Sequence, residues 1–208
     1  MTKDIQSRLA AIGTPTLSSQ LIRAGLRQSY LDGPRRLVGE GALCGPAFTL
    51  RFVPARDDKA VPASYGWPGS LTAAIDAVPP GSVVVIDARA NPVAGTVGDI
   101  YADRLRQKGV KAIVSDGVVR DLPGLRHVGL PVWASGTASP PSIGGLVFAG
   151  WNEPIGCGDA AIWPGDLIVA DEDGVLVVPP ELAEEVAAGG EKQNHFEQWV
   201  QKLSLIHI

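Results

Sequence analysis

Apolar residues recur at helical spacing from the start of the chain, with Ile5, Leu9 and Ile12 three or four positions apart, which predicts a helix with one buried stripe. Thr14-Pro15 fits the start of a second helix, because proline is tolerated in a first turn, and Leu17, Leu21 and Ile22 supply its apolar face. Residues 47–53 are rich in strand formers, and residues 54–68, with Asp57, Asp58 and Lys59, read as a surface loop. Leu71, Ala74 and Ile75 predict a short helix stopped by Pro79-Pro80. Ser82-Val83-Val84-Val85-Ile86-Asp87 is a continuous apolar run of the kind found in strands buried on both faces. Beyond Gly95, Ile100, Ala102 and Leu105 describe a helix that ends at Gly109. Ala112-Ile113-Val114 is the next buried strand, Asp116-Gly117 reads as a turn after it, and Pro131-Val132-Trp133-Ala134 is a further strand. Residues 166–170 and 175–178, joined through Asp171-Glu172-Asp173-Gly174, predict a hairpin, and residues 181–202 are mostly polar with a partly helical pattern. Strand, helix and strand in succession, with an antiparallel section added, imply a layered α/β domain.

Composition narrows the function classes. The chain has 208 residues, 45% of them hydrophobic, enough for one sizeable core, and no internal repeat divides it. A formal net charge of -4 leaves no basic stripe for a phosphate backbone, so nucleic-acid binding is not expected. Cys44 and Cys157 stand far apart with no Cys-x-x-Cys pair; they read as small buried apolar groups rather than a disulfide or zinc site. The N-terminus lacks an apolar signal core and no run is long enough to span a membrane, so a soluble cytoplasmic protein is expected. The closing Leu203-Ser204-Leu205-Ile206-His207-Ile208 breaks the preceding pattern. Its back-translation CTG TCT CTT ATA CAC ATC matches a sequencing-adapter end. Residues 1–202 are therefore read as a single domain, with 203–208 a non-native tail on a chain cut short.

The candidate chemistry lies between the two central strands. Asp99 is separated by twenty residues from Arg120-Asp121, and it follows Gly95-Thr96-Val97-Gly98 at the start of the predicted helix. Free backbone N–H groups and the positive dipole end favour an anion there, and glycines let it approach closely. Taken singly, Asp99 is equally well explained as a charge that complements the helix terminus, and Arg120-Asp121 is better explained as a solvated surface pair. Together they offer a bidentate cation for a carboxylate and carboxylate oxygens for a hard metal ion.

These residues resemble the family of 4-hydroxy-4-methyl-2-oxoglutarate aldolases and the related RraA-like proteins. The resemblance rests on Gly95-x-x-Gly98, Asp99 and Arg120-Asp121. Gly45-Pro46-Ala47-Phe48-Thr49, Pro154-Ile155-Gly156-Cys157-Gly158 and Pro164-Gly165-Asp166, leading to Asp171-Glu172-Asp173-Gly174-Val175, support it in the same order. It runs from about residue 12 to residue 179. It implies an αββα sandwich of the swivelling β/β/α type with N- and C-terminal helices. It also implies a divalent-metal-dependent lyase, a class II aldolase or decarboxylase, that acts on a small 2-oxo acid through an enolate. Asp121 would be the ligand of Mg²⁺ or Mn²⁺. Arg120 would bind the 2-oxo acid and stabilise the enolate, the backbone amides of Gly98, Asp99, Ile100 and Tyr101 would hold the carboxylate, and Asp99 would orient or deprotonate a water. A glutamate from a neighbouring subunit completes the family's site; Glu197 is the better match and Glu191 the weaker. A homotrimer or homohexamer is implied. The alternative carried by the same resemblance is a non-catalytic, protein-binding regulator of RNA degradation.

Rival motifs are weaker. Gly156-Cys157-Gly158-Asp159-Ala160-Ala161 fits a dinucleotide fingerprint only formally, because Pro164-Gly165 interrupts the helix that should follow, and a turn is the better reading. Asp171-x-Asp173 lacks the glycine and the glutamate of a calcium loop. A Schiff-base aldolase needs a desolvated lysine, and only Lys111, beside a buried strand, comes near that. The three histidines have no metal-binding spacing, and the five tryptophans are read as core or subunit-interface residues.

Overall fold

The computed structural model describes residues 3–206. Two helices open the chain, α1 (Lys3–Ala10) and α2 (Thr14–Arg23), and Pro15 sits in the first turn of α2, where its missing N–H costs nothing. Then follow β1 (Arg35–Val38), the long β2 (Leu43–Pro54) and α3 (Leu71–Ala77), whose N-cap Ser70 accepts a hydrogen bond from Ala73 N–H. The central unit is β3 (Val83–Asp87), α4 (Asp99–Gln107), β4 (Ala112–Val119), α5 (Leu122–Val128) and β5 (Val132–Thr137). After it come β6 (Leu146–Trp151), the hairpin β7 (Ile155–Cys157) and β8 (Ala160–Ile162), the hairpin β9 (Leu167–Ala170) and β10 (Val175–Val178), and α6 (Ala183–Ile206). Of the six residues read as a tail, four continue α6 and His207 and Ile208 lie outside the described residues.

The main sheet runs β1-β5-β4-β3-β2-β9-β10, with β6 also paired to β2. Strands β2 to β5 are parallel, whereas β1, β6, β9 and β10 pair antiparallel with their neighbours. The sheet curls along β2, which pairs with β9 at Leu43 to Pro46, with β3 at Ala47 to Arg51, and with β6 at Leu50 to Pro54. Alternation along each strand shows where every face goes. Val84 and Ile86 point to a core beneath α3, α4 and α5, while Val83 and Val85 point to a second core shared with β7, β8 and the inner residues Ile168, Ala170, Val175 and Val177. Leu167, Val169, Leu176 and Val178 face outward, onto α1, α2 and α6. The order of layers is therefore helix, sheet, sheet, helix, as the resemblance implies. Both inner strand layers are buried on two faces, which is why β3, β9 and β10 read as unbroken apolar runs.

The structure corrects three local readings. Ile22 and Ile100 are exposed, by 53% and 82%, although each continues a helical apolar pattern. Asp116-Gly117 is no turn: β4 continues through it, with a register irregularity against β5 between Ser115 and Val118. The strands β1, β6, β7 and β8 and the helix α5 were not predicted. Leu122-Pro123-Gly124 looks like a loop, yet proline in a helix's first turn is compatible with the fold. Both cysteines are buried and unpaired, as expected, and burial pushes the Cys44 thiol up to about 12. Trp133 is fully buried, while Trp67, Trp163 and Trp199 are exposed. Among the described residues no helix is long and apolar enough to cross a membrane.

Candidate active site

The segment between β3 and α4 is laced to β4 by a buried carboxylate. Asp116 Oδ1 accepts the Ala88 N–H at 2.7 Å and Oδ2 accepts the Ala90 N–H at 3.1 Å, which supports the left-handed conformation of Arg89 (φ 57) and Ala90 (φ 50). Asn91 Oδ1 then accepts from Val93 and Ala94 N–H, and further backbone bonds run from Thr96 N–H to Val118 O and from Arg120 N–H to Val97 O. A Cβ on Gly117 would lie 2.6 Å from Ala88 Cβ, so the close approach needs glycine there. Burial raises the Asp116 carboxyl above its usual range; the Ala88 and Ala90 amides oppose the rise and Asp87 adds to it. With the folded value above the unfolded one, the folded state keeps its proton longer, so this contribution to stability is lost as pH rises from about 4. Urea unfolding should show the stability advantage of wild type over Asp116→Asn narrowing between pH 4 and neutrality. A widening gap would contradict the assignment.

That lacing delivers three charged residues to one cleft of about 370 Å³. Arg120 and Asp121 follow β4 directly, and Arg120 Nε donates to Asp121 Oδ2 at 2.9 Å, with both side chains more than a third exposed. Such a pair contributes well under about 1 kcal/mol to stability. Asp121 also occupies the left-handed region (φ 57, ψ 43), which aspartate and asparagine tolerate better than other residues with a Cβ, and it caps α5 without a side-chain hydrogen bond. Stability therefore does not account for this pair. Asp99 opens α4, its Oδ1 accepting the Ile100 N–H at 2.8 Å. The first helical bond of α4 runs from Ala102 N–H to Gly98 O, so the amides before it have no helical acceptor.

Each of the three charges is backed by a glycine. A Cβ on Gly95 would lie 2.8 Å from Arg120 Cβ, one on Gly98 would collide with Asp121 Oδ2, and one on Gly124 would collide with Asp99 Oδ2. None of these glycines has a positive φ, so close packing, not backbone freedom, favours them, and a Cβ on Gly98 would displace the Asp121 carboxylate. Gly95 and Gly98 were legible beforehand; Gly124 was not, and the Asp121-x-x-Gly124 spacing was its only signal.

The sequence model of the RraA-like family, described as Aldolase/RraA, matches residues 14–177. The chain belongs to the RraA-like family. A Halalkalibacterium halodurans protein provisionally named as a 4-hydroxy-4-methyl-2-oxoglutarate aldolase is 36% identical over 118 residues, 55% of this chain and 54% of that protein. Protein DlpA of Legionella pneumophila is 30% identical over 148 residues, 69% of this chain and 22% of DlpA. The RraA-like chain thus matches about half the length of the first relative and a smaller part of the second. Among solved structures, Streptomyces coelicolor RraAS2, described as an unusual member of the RNase ES inhibitor RraA protein family, superposes with a TM-score of 0.87 at 33% identity, covering 97% of both chains.

The remaining residues singled out in this RraA-like chain lie elsewhere. Glu197 is on α6, where Gln193 Nε2 donates to it at 2.8 Å, and α6 packs on α1 and α2 in the outer layer opposite α4 and α5. Glu191 pairs with Arg8 at 2.7 Å. The chain's own fold does not bring either glutamate to the cleft. Lys111 stands at the other end of β4 with Nζ bonded to Cys44 O and Gln6 Oε1, which removes it as a Schiff-base candidate here. Residues 156–161 form the β7–β8 hairpin, and Asp171 spends its carboxylate on Thr14, Asp173 and Gly174.

The donor set in the cleft is sparse. Among the described residues no three His, Cys, Asp or Glu side chains gather into a cage, as a structural zinc site would need. Asp121 commits Oδ2 to Arg120 and has no protein partner for Oδ1 among the described residues. One half-exposed carboxylate fits a hard cation that keeps most of its waters, such as Mg²⁺ or Mn²⁺.

Proposed function

We propose that this chain is a carbon–carbon lyase that releases pyruvate from a 2-oxo acid, by aldol cleavage of a 4-hydroxy-2-oxo acid, by decarboxylation of oxaloacetate, or both. The observation that carries the reading is the convergence of Asp99, Arg120, Asp121 and the amides at the start of α4 on one cleft, each charge seated against its own glycine. A divalent cation at Asp121 would supply Lewis-acid polarisation of the 2-oxo group. The chain's own residues do the rest. The amides of Gly98, Asp99 and Tyr101, joined by that of Ile100 when the substrate displaces Asp99 Oδ1 from it, hold the substrate carboxylate at a helix N-terminus. Asp99, acting through a water, takes the proton of the 4-hydroxyl; the O–H electron pair becomes the new carbonyl bond and the C3–C4 bond breaks. Its electron pair moves toward C2, and Arg120 stabilises the negative charge that grows on the 2-oxo oxygen. Protonation at C3 then yields pyruvate. With oxaloacetate, CO₂ leaves in place of the aldehyde or ketone. In a homotrimer or homohexamer, Glu197 of an adjacent copy would be the further acid-base group.

The experiment is pyruvate release from oxaloacetate and from 4-hydroxy-2-oxo acids, with Mg²⁺ and with the ion chelated. Metal-dependent pyruvate is the expected result. None above background from any of these acids would sink the lyase.

A second reading draws on the 33% identity to RraAS2 over nearly its whole length: a regulator that binds an RNA-degrading enzyme. Inhibition of such an enzyme by a protein that releases no pyruvate would favour it.

A further inference from the structure

The buried carboxylate of Asp116 has a companion. Asp87, at the end of β3, is half-buried, and its Oδ1 accepts the Arg89 N–H at 3.1 Å, between the two amides that Asp116 accepts from Ala88 and Ala90. Three successive amides of the β3–α4 loop therefore end on two carboxylates. The same pair meets the β7–β8 hairpin: the Gly156 amide favours the ionised form of Asp87, and the Gly158 amide favours that of Asp116. Between those glycines, Cys157 is fully buried, with Sγ donating to Ile86 O at 3.5 Å. The Gly156-Cys157-Gly158 run, which makes no dinucleotide site, thus supplies a second set of amides to the pair. Beyond Ala90 the loop runs through Asn91, whose O accepts the Val118 N–H, to Gly95 and Gly98, the glycines seated against Arg120 and Asp121.

A carboxylate is acceptor-only while it is ionised; a proton turns one of its oxygens into an O–H donor that faces an N–H donor, and one of the loop's bonds is lost. Burial raises both carboxyls above their usual range, and the Asp87 charge adds to the rise at Asp116. The other groups facing the pair are few. Arg51 on β2 and Arg89 in the loop oppose the rise at Asp87, burial holds the Cys157 thiol well above its usual value, and Asp32, beside Gly158, directs its carboxylate to the Gly33 N–H. Asp116 is 5% exposed within a single chain, so an adjacent copy does not alter its burial, and its partners Ala88 and Ala90 are not shared with Arg120 or Asp121. Resting on the lyase reading for its effect on turnover, we infer that Asp116 and Asp87 are positioning residues: ionised, they hold residues 88–98 so that Gly98 and Asp99 meet Arg120 and Asp121, and a proton on Asp116 releases that loop and disables the cleft. Stability and turnover then move in opposite directions. As pH falls, protonation relieves the cost of burying the Asp116 charge and adds to global stability, while the local order that the reaction needs is lost.

The test is amide hydrogen exchange of residues 88–98 across pH, corrected for the intrinsic pH dependence of exchange, beside the pH profile of kcat/KM for pyruvate release from oxaloacetate at saturating Mg²⁺. In wild type, protection of residues 88–98 is expected to fall by about tenfold or more as pH drops from neutrality toward the ordinary carboxylate range, while β9 and β10 stay protected and turnover falls over the same interval. Asp116→Asn, uncharged and of the same shape, should exchange fast in this loop already at neutrality, with kcat/KM lower by about ten- to a hundredfold, the scale of a small misplacement of reacting groups. Asp87→Asn, which removes a like charge, should move the midpoint of the loop's transition to lower pH. Protection that does not change with pH in wild type, or that is no weaker in Asp116→Asn, overturns the inference. Turnover with the same acid fall in Asp116→Asn as in wild type overturns its catalytic part. Exchange is read without substrate, so the expected exchange pattern with no pyruvate from any acid overturns the lyase and leaves the hold on the loop standing.

Discussion

Arg120→Ala is expected to lower kcat for pyruvate release by about a hundred- to a thousand-fold, the usual effect of removing a donor aimed at developing negative charge. The position of Arg120 is over-determined: its N–H donates to Val97 O at 3.0 Å, its Cβ packs on Gly95, and its Nε is committed to Asp121. What remains are the two terminal nitrogens, which carry no hydrogen bond among the described residues and are free for a ligand oxygen. Arg120→Lys should rescue little, because an ammonium cannot donate to Asp121 and present a second planar pair of donors together. The melting temperature should barely move, since a pair this exposed contributes little to stability. Steady-state kinetics with a thermal melt on each variant checks both statements, and a kcat within a few-fold of wild type would remove Arg120 from the reaction.

Asp121→Ala is expected to abolish metal-dependent turnover while the fold persists. No other carboxylate completes a ligand cluster with Asp121 among the described residues, so nothing replaces its oxygen. Alanine in the left-handed conformation costs on the order of 1 kcal/mol, whereas asparagine tolerates it. Asp121→Asn therefore isolates the loss of charge from the backbone effect. Calorimetric titration with Mg²⁺ and paramagnetic resonance with Mn²⁺ should show weakened binding for both variants. An unchanged rate, or unchanged Mn²⁺ affinity, would take Asp121 out of the site.

Legibility followed the range of the interactions. Strands β3, β9 and β10 were readable because burial on both faces leaves an unbroken apolar run. The start of α1 and α2 was readable from spacing and from Pro15. Ile100 kept the helical period and still faces solvent, because the cleft opens where a packed surface would otherwise cover it. Asp116-Gly117 has turn chemistry by itself; inside β4 it does something no local rule anticipates, receiving the amides of a loop some twenty-six residues back in the chain. Helix α5 was missed because Pro123 and Gly124 signal a loop locally, and the need for Gly124 comes from Asp99 on another element.

By itself, the sequence determined the α/β class, the family, and the set of Asp99, Arg120 and Asp121 with two of their glycines, since these depend on residue type and short spacing. The tertiary structure alone decided which glycine backs which charge, that Asp116 laces the loop carrying them, and that Glu197 lies in the opposite layer. Those facts are steric and electrostatic relations between elements distant in the chain, and they exist only once the parallel strands and their helices have packed.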